Sequence, residues 1–305
     1  MFFKYILFSF FICFNALAVE PSSDEMAAIN LIRKKGTINI KYNKASGIGN
    51  RLKKLVSYIR YFKPNHINIY WPNSGWVSSS FLELFNLDLP IRLNEINSPY
   101  LIDNFYDKNV LYNYIDEYNL IVVKTDFSSI NPFIIDGNFN KIPKEVIDIY
   151  TPIFSKIKPS YIVQKRIKEI QLPPNSVAIQ IRNADDWKKE ERNENISLFF
   201  DKMDKYSSDT VFFLSAMSKD IAKHFYNRYP GRIIELPNKN YSSMIDAVAD
   251  MYIIGSTNEA IYSYGSTFSE VGWWLGGAKT HVTTIGSSRN WKNKPNDFPI
   301  LDKIY

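Results

Sequence analysis

Ser176–Ile181 (SVAIQI), Thr210–Leu214 (TVFFL), Arg232–Leu236 (RIIEL), Ala260–Ser263 (AIYS) and His281–Ile285 (HVTTI) are short runs rich in β-branched and aromatic residues. Between them lie segments with apolar residues at helical spacing: Ile196–Tyr206, Lys219–Tyr229, Ser243–Ile254 and Phe268–Leu275. In Ser243–Ile254 the stripe is Met244, Ala247, Val248, Met251 and Ile254. Strand and helix alternate with short connections, which predicts an α/β fold with a parallel sheet covered by helices on both faces. Open parallel sheets bind ligands at the carboxyl ends of their strands. The loops after Ile181, Leu214, Leu236 and Ser263 are therefore where chemistry is expected.

Working outward, Leu172-Pro-Pro-Asn175 separates this region from an earlier one. There, Thr37–Tyr42 (TINIKY) and His66–Trp71 (HINIYW) alternate like strands. Between them stand a glycine turn and Arg51–Phe62, whose Leu52, Leu55, Val56 and Ile59 have helical spacing, so a βαβ unit is predicted. Ser80–Asn86 reads as a short helix. Residues 87–140 are less regular, with a strand expected near Leu120–Lys124, and Lys144–Phe154 and Ser160–Glu169 read as helices. Two units are expected, 36–165 and 166–305. Residues 1–18 combine a positive start, the apolar run Tyr5–Phe14 and a small-x-small ending, the build of a cleavable secretory signal. Residues 19–35 read as a lead-in, and the expected destination is the secretory pathway or export, with an uncleaved signal anchor as second choice.

The 305 residues carry 37 basic and 31 acidic side chains, a net charge of +6 spread along the chain. That balance permits a phosphate-bearing ligand without demanding nucleic acid. The one cysteine, Cys13, lies in the apolar N-terminal run, which leaves no disulfide framework for the remainder. His66, His224 and His281 are scattered without metal-binding spacing. Neither a P-loop nor a Gly-x-Ser-x-Gly elbow is present.

Four constellations remain. Ser46-Gly-Ile-Gly-Asn-Arg51 joins a strand to a helix; it is either a plain turn or a place where glycines and helix amides approach an anion. Arg182 ends the strand Ser176–Ile181 and is followed by Asp185 and Asp186. The stretch is either an exposed, charged strand-end loop or a place where the guanidinium would pair with phosphate and stabilise charge on a departing group. Tyr262–Ser269 (YSYGSTFS) again joins strand to helix, and Ser266 or Thr267 caps the helix whether or not an anion binds. Asp246 and Asp250 share one helix face; Asp246 reads as surface, whereas Asp250 sits amid apolar residues and needs a partner.

In order and spacing these pieces resemble the GDP-fucose-dependent fucosyltransferases, the superfamily of α1,2-, α1,6- and protein O-fucosyltransferases. Gly47-Ile-Gly-Asn-Arg-Leu52 is similar to the family's Gly-Leu-Gly-Asn-Arg-Leu motif. Trp71-Pro72 with Phe81–Phe85, Ile179–Asp185, Asp246–Asp250 and Ser263–Gly277 resemble the stretches that follow it, and the likeness spans residues 37–286. The resemblance implies a GT-B-like architecture, two Rossmann-type domains facing a central cleft, with the donor held mainly by the second. It also implies inverting transfer of fucose from GDP-fucose to a glycan or protein hydroxyl, with no metal or other cofactor.

By the same resemblance, Arg182 serves the donor β-phosphate, and Ser266, Thr267 and Phe268 line the diphosphate and base site. Asp250 reads guanine, while Gly49, Asn50 and Arg51 lie near the phosphates. Asp185 and Asp186 are further donor-site candidates. Glu190, eight residues after Arg182, stands where the α1,6 branch has its base. Gln180 and Asn183 depart from the family's histidine and second arginine, which argues against α1,6 specificity. Two other readings stay open: a different nucleotide-sugar transferase on this fold, and a secreted carbohydrate-binding protein that has lost turnover.

Overall fold

The computed structural model describes residues 36–42, 46–97, 144–182, 189–263 and 266–285, with 30, 34 and 44 as isolated positions. The signal segment, nearly all of the lead-in, the strand expected at Leu120–Lys124, and Asp185 and Asp186 lie outside the described residues.

In the first half, β1 (Thr37–Lys41), α1 (Ile48–Phe62) and β2 (His66–Tyr70) form the expected βαβ unit. There follow α2 (Phe81–Leu84), β3 (Phe85–Leu87), β4 (Arg92–Ile96), α3 (Lys144–Phe154), β5 (Ile157–Pro159) and α4 (Tyr161–Ile167). Strands β1, β2 and β4 make a parallel sheet in the order β1-β2-β4, and β3 pairs antiparallel with β5. One face of the parallel sheet buries Ile38, Ile40, Ile67 and Ile69 among Leu52, Leu55, Val56 and Ile59 of α1. The other face carries Asn39, Asn68 and Asn94 in register. Their amides join into a ladder, Asn68 donating to Asn39 at 2.8 Å and Asn94 to Asn68 at 3.2 Å.

The second half holds β6 (Val177–Ile181), α5 (Lys189–Met203), β7 (Phe212–Ala216), α6 (Lys219–Arg228) and β8 (Ile233–Ile234). It continues with α7 (Met244–Ser256), β9 (Glu259–Ser263), α8 (Thr267–Leu275) and β10 (His281–Ile285). Its five-stranded sheet is wholly parallel, in the order β10-β9-β6-β7-β8. Counted from β6, that is 3-2-1-4-5 read from the β8 side, the first five strands of the doubly wound nucleotide-binding order 3-2-1-4-5-6. The order reverses between β6 and β9. Serine side chains cap α2, α4, α6, α7 and α8 at Ser80, Ser160, Ser218, Ser243 and Ser266.

Both faces of this sheet are buried, so its strands read as nearly continuous apolar runs. Val177, Ile179, Ile181, Phe212 and Leu214 pack with Ile196, Phe199 and Met203 of α5 and with Ile221 and Phe225 of α6. Ala178, Phe213, Ala260, Tyr262 and Val282 face the opposite way. They join α7, α8 and the first half in one core that runs from Ile38 to Val282.

Several elements differ from the sequence reading. Residues 81–87 are one helical turn followed by β3, not a single helix. Strand β4 falls in the region read as irregular. Helix α5 starts at Lys189 and not Ile196, and β8 keeps two residues of Arg232–Leu236. The junction set at 165/166 lies inside α4, which is tied to α7 by the Arg166–Asp246 ion pair. Asp246 is thus no surface residue: it is buried, accepts from Arg166 Nε at 2.7 Å, and also accepts from the Asn240 amide. Burying Asp246 requires such partners.

Candidate active site

The order reversal places the end of β6 beside the end of β9. There the Arg182 amide donates to Ser263 Oγ at 2.7 Å, and the Arg182 side chain is exposed. Two residues before Arg182, paired with Tyr262 in the β6–β9 ladder, stands Gln180, which is buried. Its Oε1 accepts from Ser269 Oγ at 2.9 Å, tying β6 to the first turn of α8. Ser266 is also buried, and its hydroxyl is occupied by capping, accepting from the Ser269 amide. Helix geometry leaves the amides of Thr267 and Phe268 without an intrahelical acceptor.

Helix α1 meets α8 at this point. A Cβ on Gly49 would stand 2.5 Å from the Thr267 carbonyl oxygen and 3.0 Å from the Phe268 nitrogen. Only a glycine admits so close an approach of two backbones. One turn further along both helices, Lys53 Nζ donates to Glu270 Oε2 at 2.6 Å, and both side chains are fully buried. The contacts Gly49–Thr267 and Lys53–Glu270 therefore show two helices lying side by side with their amino ends together. Burial pushes the Lys53 ammonium pKa down and the Glu270 carboxyl pKa up, and their mutual attraction opposes both shifts.

Each helix amino end carries roughly half a positive charge. The first turn of α1 contains no acid, and the acid in the first turn of α8, Glu270, is spent on Lys53. Two like partial charges are thus held together at the carboxyl ends of β6 and β9, next to a third from Arg182. The arrangement favours an anion with several oxygens.

The flanks add polar groups. Arg51 is fully buried: its Nε donates to Ser46 O at 2.9 Å and its guanidinium lies 4.9 Å from the Trp71 ring centroid. Burial lowers its pKa to about 10. Tyr42 packs edge-on against the same Trp71. Arg51 Nη1, Asn50 Oδ1 and Tyr42 Oη are buried atoms with no hydrogen-bond partner among the described residues. Asp250, on α7, is buried and accepts from Lys239 Nζ at 2.7 Å through Oδ2. Lys239 also donates to Glu235, which accepts from Tyr241 Oη. Asp250 Oδ1 makes no hydrogen bond of ordinary geometry among the described residues, although the Ser215 hydroxyl lies near enough to the carboxylate to favour its charged form. Burial pushes the Asp250 pKa up to about 6 against the pull of the Lys239 ammonium.

Of the residues singled out from sequence, Gly49, Ser266, Thr267, Phe268 and Arg182 are brought together by these contacts. Asn50 and Arg51 stand on the same turn of α1. Asp250 lies on α7, held by the Lys239 cluster, and Glu190 is in the first turn of α5. Lys53, Glu270 and Gln180 as a tether went unassigned from sequence. Nothing local marks Lys53 and Glu270 as partners, because 217 positions separate them. Among the described residues no three His, Cys, Asp or Glu side chains are grouped to hold a metal ion, and no helix is long and apolar enough to cross a membrane.

No family model and no curated protein matches the sequence. Solved structures do match. The NodZ alpha-1,6-fucosyltransferase soaked with GDP-fucose shares 16% identity over 78% of this chain and 92% of that one, with a TM-score of 0.50. Fucosyltransferase NodZ from Bradyrhizobium matches at 15% identity over 78% and 91%, TM-score 0.51. A mutant of Arabidopsis thaliana FUT1 in complex with GDP matches at 14% over 88% and 81%, TM-score 0.52. At such identities the likeness is one of fold, and the chain has the GT-B-like α/β fold of these fucosyltransferases.

Proposed function

We propose that this protein is a glycosyltransferase that moves fucose from GDP-fucose to a hydroxyl of a glycan or glycoprotein. The observation that carries the reading is the pair of helix amino ends, α1 and α8, packed together beside Arg182 at the order reversal of a nucleotide-type sheet. The ligands of the structural neighbours, GDP and GDP-fucose, supply the donor class.

In this reading the diphosphate lies against the amides of α1 and α8, and the guanidinium of Arg182 faces the β-phosphate. The bond between fucose C1 and the phosphate oxygen breaks, and its electron pair stays on GDP. Arg182 and the helix amides stabilise that growing charge, the task a metal performs elsewhere. The acceptor oxygen bonds to C1 from the opposite face, which inverts the configuration. Its proton passes to a carboxylate; Glu190 is the residue we assign, with Asp185 and Asp186 as donor-site side chains. The Asp250 oxygen not bound to Lys239 is assigned to the guanine N–H groups, and Asn50 and Arg51 brace the phosphate end. Residues 1–18 would direct the chain into the secretory pathway, which amino-terminal sequencing of the exported protein tests.

Calorimetry of the mature protein with GDP-fucose, GDP-mannose and a UDP-sugar, in excess EDTA, tests the proposal. Preferential binding of the guanine nucleotide with no metal is expected. Binding that needs Mg²⁺ or Mn²⁺ would refute the metal-free mechanism, and preference for the UDP-sugar would move the chain to another donor.

A further inference from the structure

The carboxyl end of β2 runs into Trp71-Pro-Asn-Ser-Gly-Trp-Val77, and the residue at its tip is an exposed tryptophan. Ser74 and Val77 close a tight turn, exchanging backbone hydrogen bonds of 2.9 and 3.2 Å, while Ser74 Oγ accepts from the Val77 amide at 3.2 Å. Val77 is fully buried, and Trp71 Nε1 donates to Ser79 O at 3.0 Å, so both flanks of the turn are pinned to the core. Trp76 projects from this fixed base with 53% of its surface exposed. A large apolar ring left half in water on a pinned turn forgoes much of the stabilisation that burial would give it.

The turn also has a definite address. Ser74 Oγ lies 3.5 Å from Arg51 Nη2. Arg51 is two residues along α1 from Gly49, about 3 Å of helix rise, and Gly49 abuts the amino end of α8. The turn that carries the indole is therefore tied, through Arg51, to the same turn of α1 as Gly49. The segment itself is neutral, with no charged residue from Trp71 to Leu82; the buried Arg51 guanidinium lies against its base at Trp71 and Ser74, while Asn73 and Ser78, which flank the turn, are exposed. One flat apolar ring with an amide and a hydroxyl beside it matches a pyranose, which presents a face of C–H groups and a rim of hydroxyls. A single ring is too small for a protein interface, which buries about 800 Å² per partner.

We infer that Trp76 is the stacking platform for a neutral sugar ring of the acceptor. The inference rests on the transferase reading for its location, but the platform itself is tested without any donor. Saturation-transfer NMR with cellotetraose, chitotetraose and N-acetyllactosamine should show binding to the intact chain by at least one of them. Trp76→Ala should abolish that signal and Trp76→Phe should restore part of it. Leu82→Ala, which removes an equally exposed apolar side chain, should leave it unchanged. In turnover with GDP-fucose, Trp76→Ala should raise the KM for the bound oligosaccharide about tenfold or more, while the affinity for GDP holds. No binding by any of the three sugars, or an undiminished signal in Trp76→Ala, overturns the inference. Sugar binding through Trp76 by a protein that fails to bind GDP-fucose leaves the platform standing and removes the donor reading instead.

Discussion

Replacing Gly49 by alanine adds one methyl where two backbones already touch. The added carbon would sit 2.5 Å from the Thr267 carbonyl oxygen and 2.7 Å from its carbon. That is about 0.9 Å short of the 3.4 Å at which ordinary contact begins. The obstacle is main chain, so no rotamer change relieves it, and α1 and α8 must part. Overpacking of this kind costs about 1–3 kcal/mol, against a helix-propensity gain of up to about 1 kcal/mol for Gly→Ala. A net loss of about 1–2 kcal/mol is expected, read as a lower melting temperature. The effect on ligand should be larger than the effect on fold, because a shift of about 1 Å in positioning groups costs up to about 10²-fold in turnover. Gly47→Ala is the matched control: a Cβ there meets nothing within 4 Å, and both stability and GDP affinity should stay near wild type. Melting curves and calorimetry with GDP on both variants provide the assay. Wild-type GDP affinity in Gly49→Ala would show that convergence of the two helix ends does not build the anion site.

Three further outcomes are expected. Lys53→Met or Glu270→Gln alone should cost about 3–5 kcal/mol, because each leaves the other buried group without its partner, whereas Lys53→Met combined with Glu270→Leu should recover most of the loss; chemical denaturation decides, and additive losses would contradict a coupled pair. Arg182→Lys should keep the melting temperature, since the side chain is exposed, yet lose about 3 kcal/mol of transition-state stabilisation in kcat/KM. Asp250, with its pKa near 6, should give GDP affinity that falls as pH drops through 6, and Asp250→Asn should flatten that dependence in calorimetry at pH 5 and 7. The stability contribution of this group runs the other way: its folded pKa lies above the ordinary carboxylate value of about 3.9, so the cost of burying the charge is absent below about pH 4 and grows as pH rises towards 6.

The second half was legible because its strands are buried on both faces and separated by helices with clear stripes and serine caps. Arg182 was found from position alone, as the residue after the first strand of that half. What escaped was held by long-range pairing. RLNEI at 92–96 looks like loop because β4, the last strand of its sheet among the described residues, has one polar face, and the amide ladder that occupies that face appears only once β1 and β2 are alongside. Strands β3 and β5 are three residues each and lie some seventy positions apart, too short for any period to show. The start of α5, KEERNEN, has no apolar stripe to announce a helix. Asp246 read as surface because its cation, Arg166, is 80 positions away. The glycine turn at 47–49 was visible, but not which glycine the approach of α8 requires.

The shared core has a consequence for how the chain acquires its shape. Ile38 and Val282 belong to one continuous cluster, and the face of α1 that holds Gly49 and Lys53 is completed only by α8. During synthesis the first 165 residues emerge long before their packing partner, with Lys53 lacking its counter-charge. Contacts of such sequence separation are slow to close, and the anion cradle is among them. The amino-terminal half expressed alone would therefore be an incomplete folding unit, prone to aggregate through the surface that α8 covers. The two parallel sheets come to share that core only after nearly the whole chain has been made.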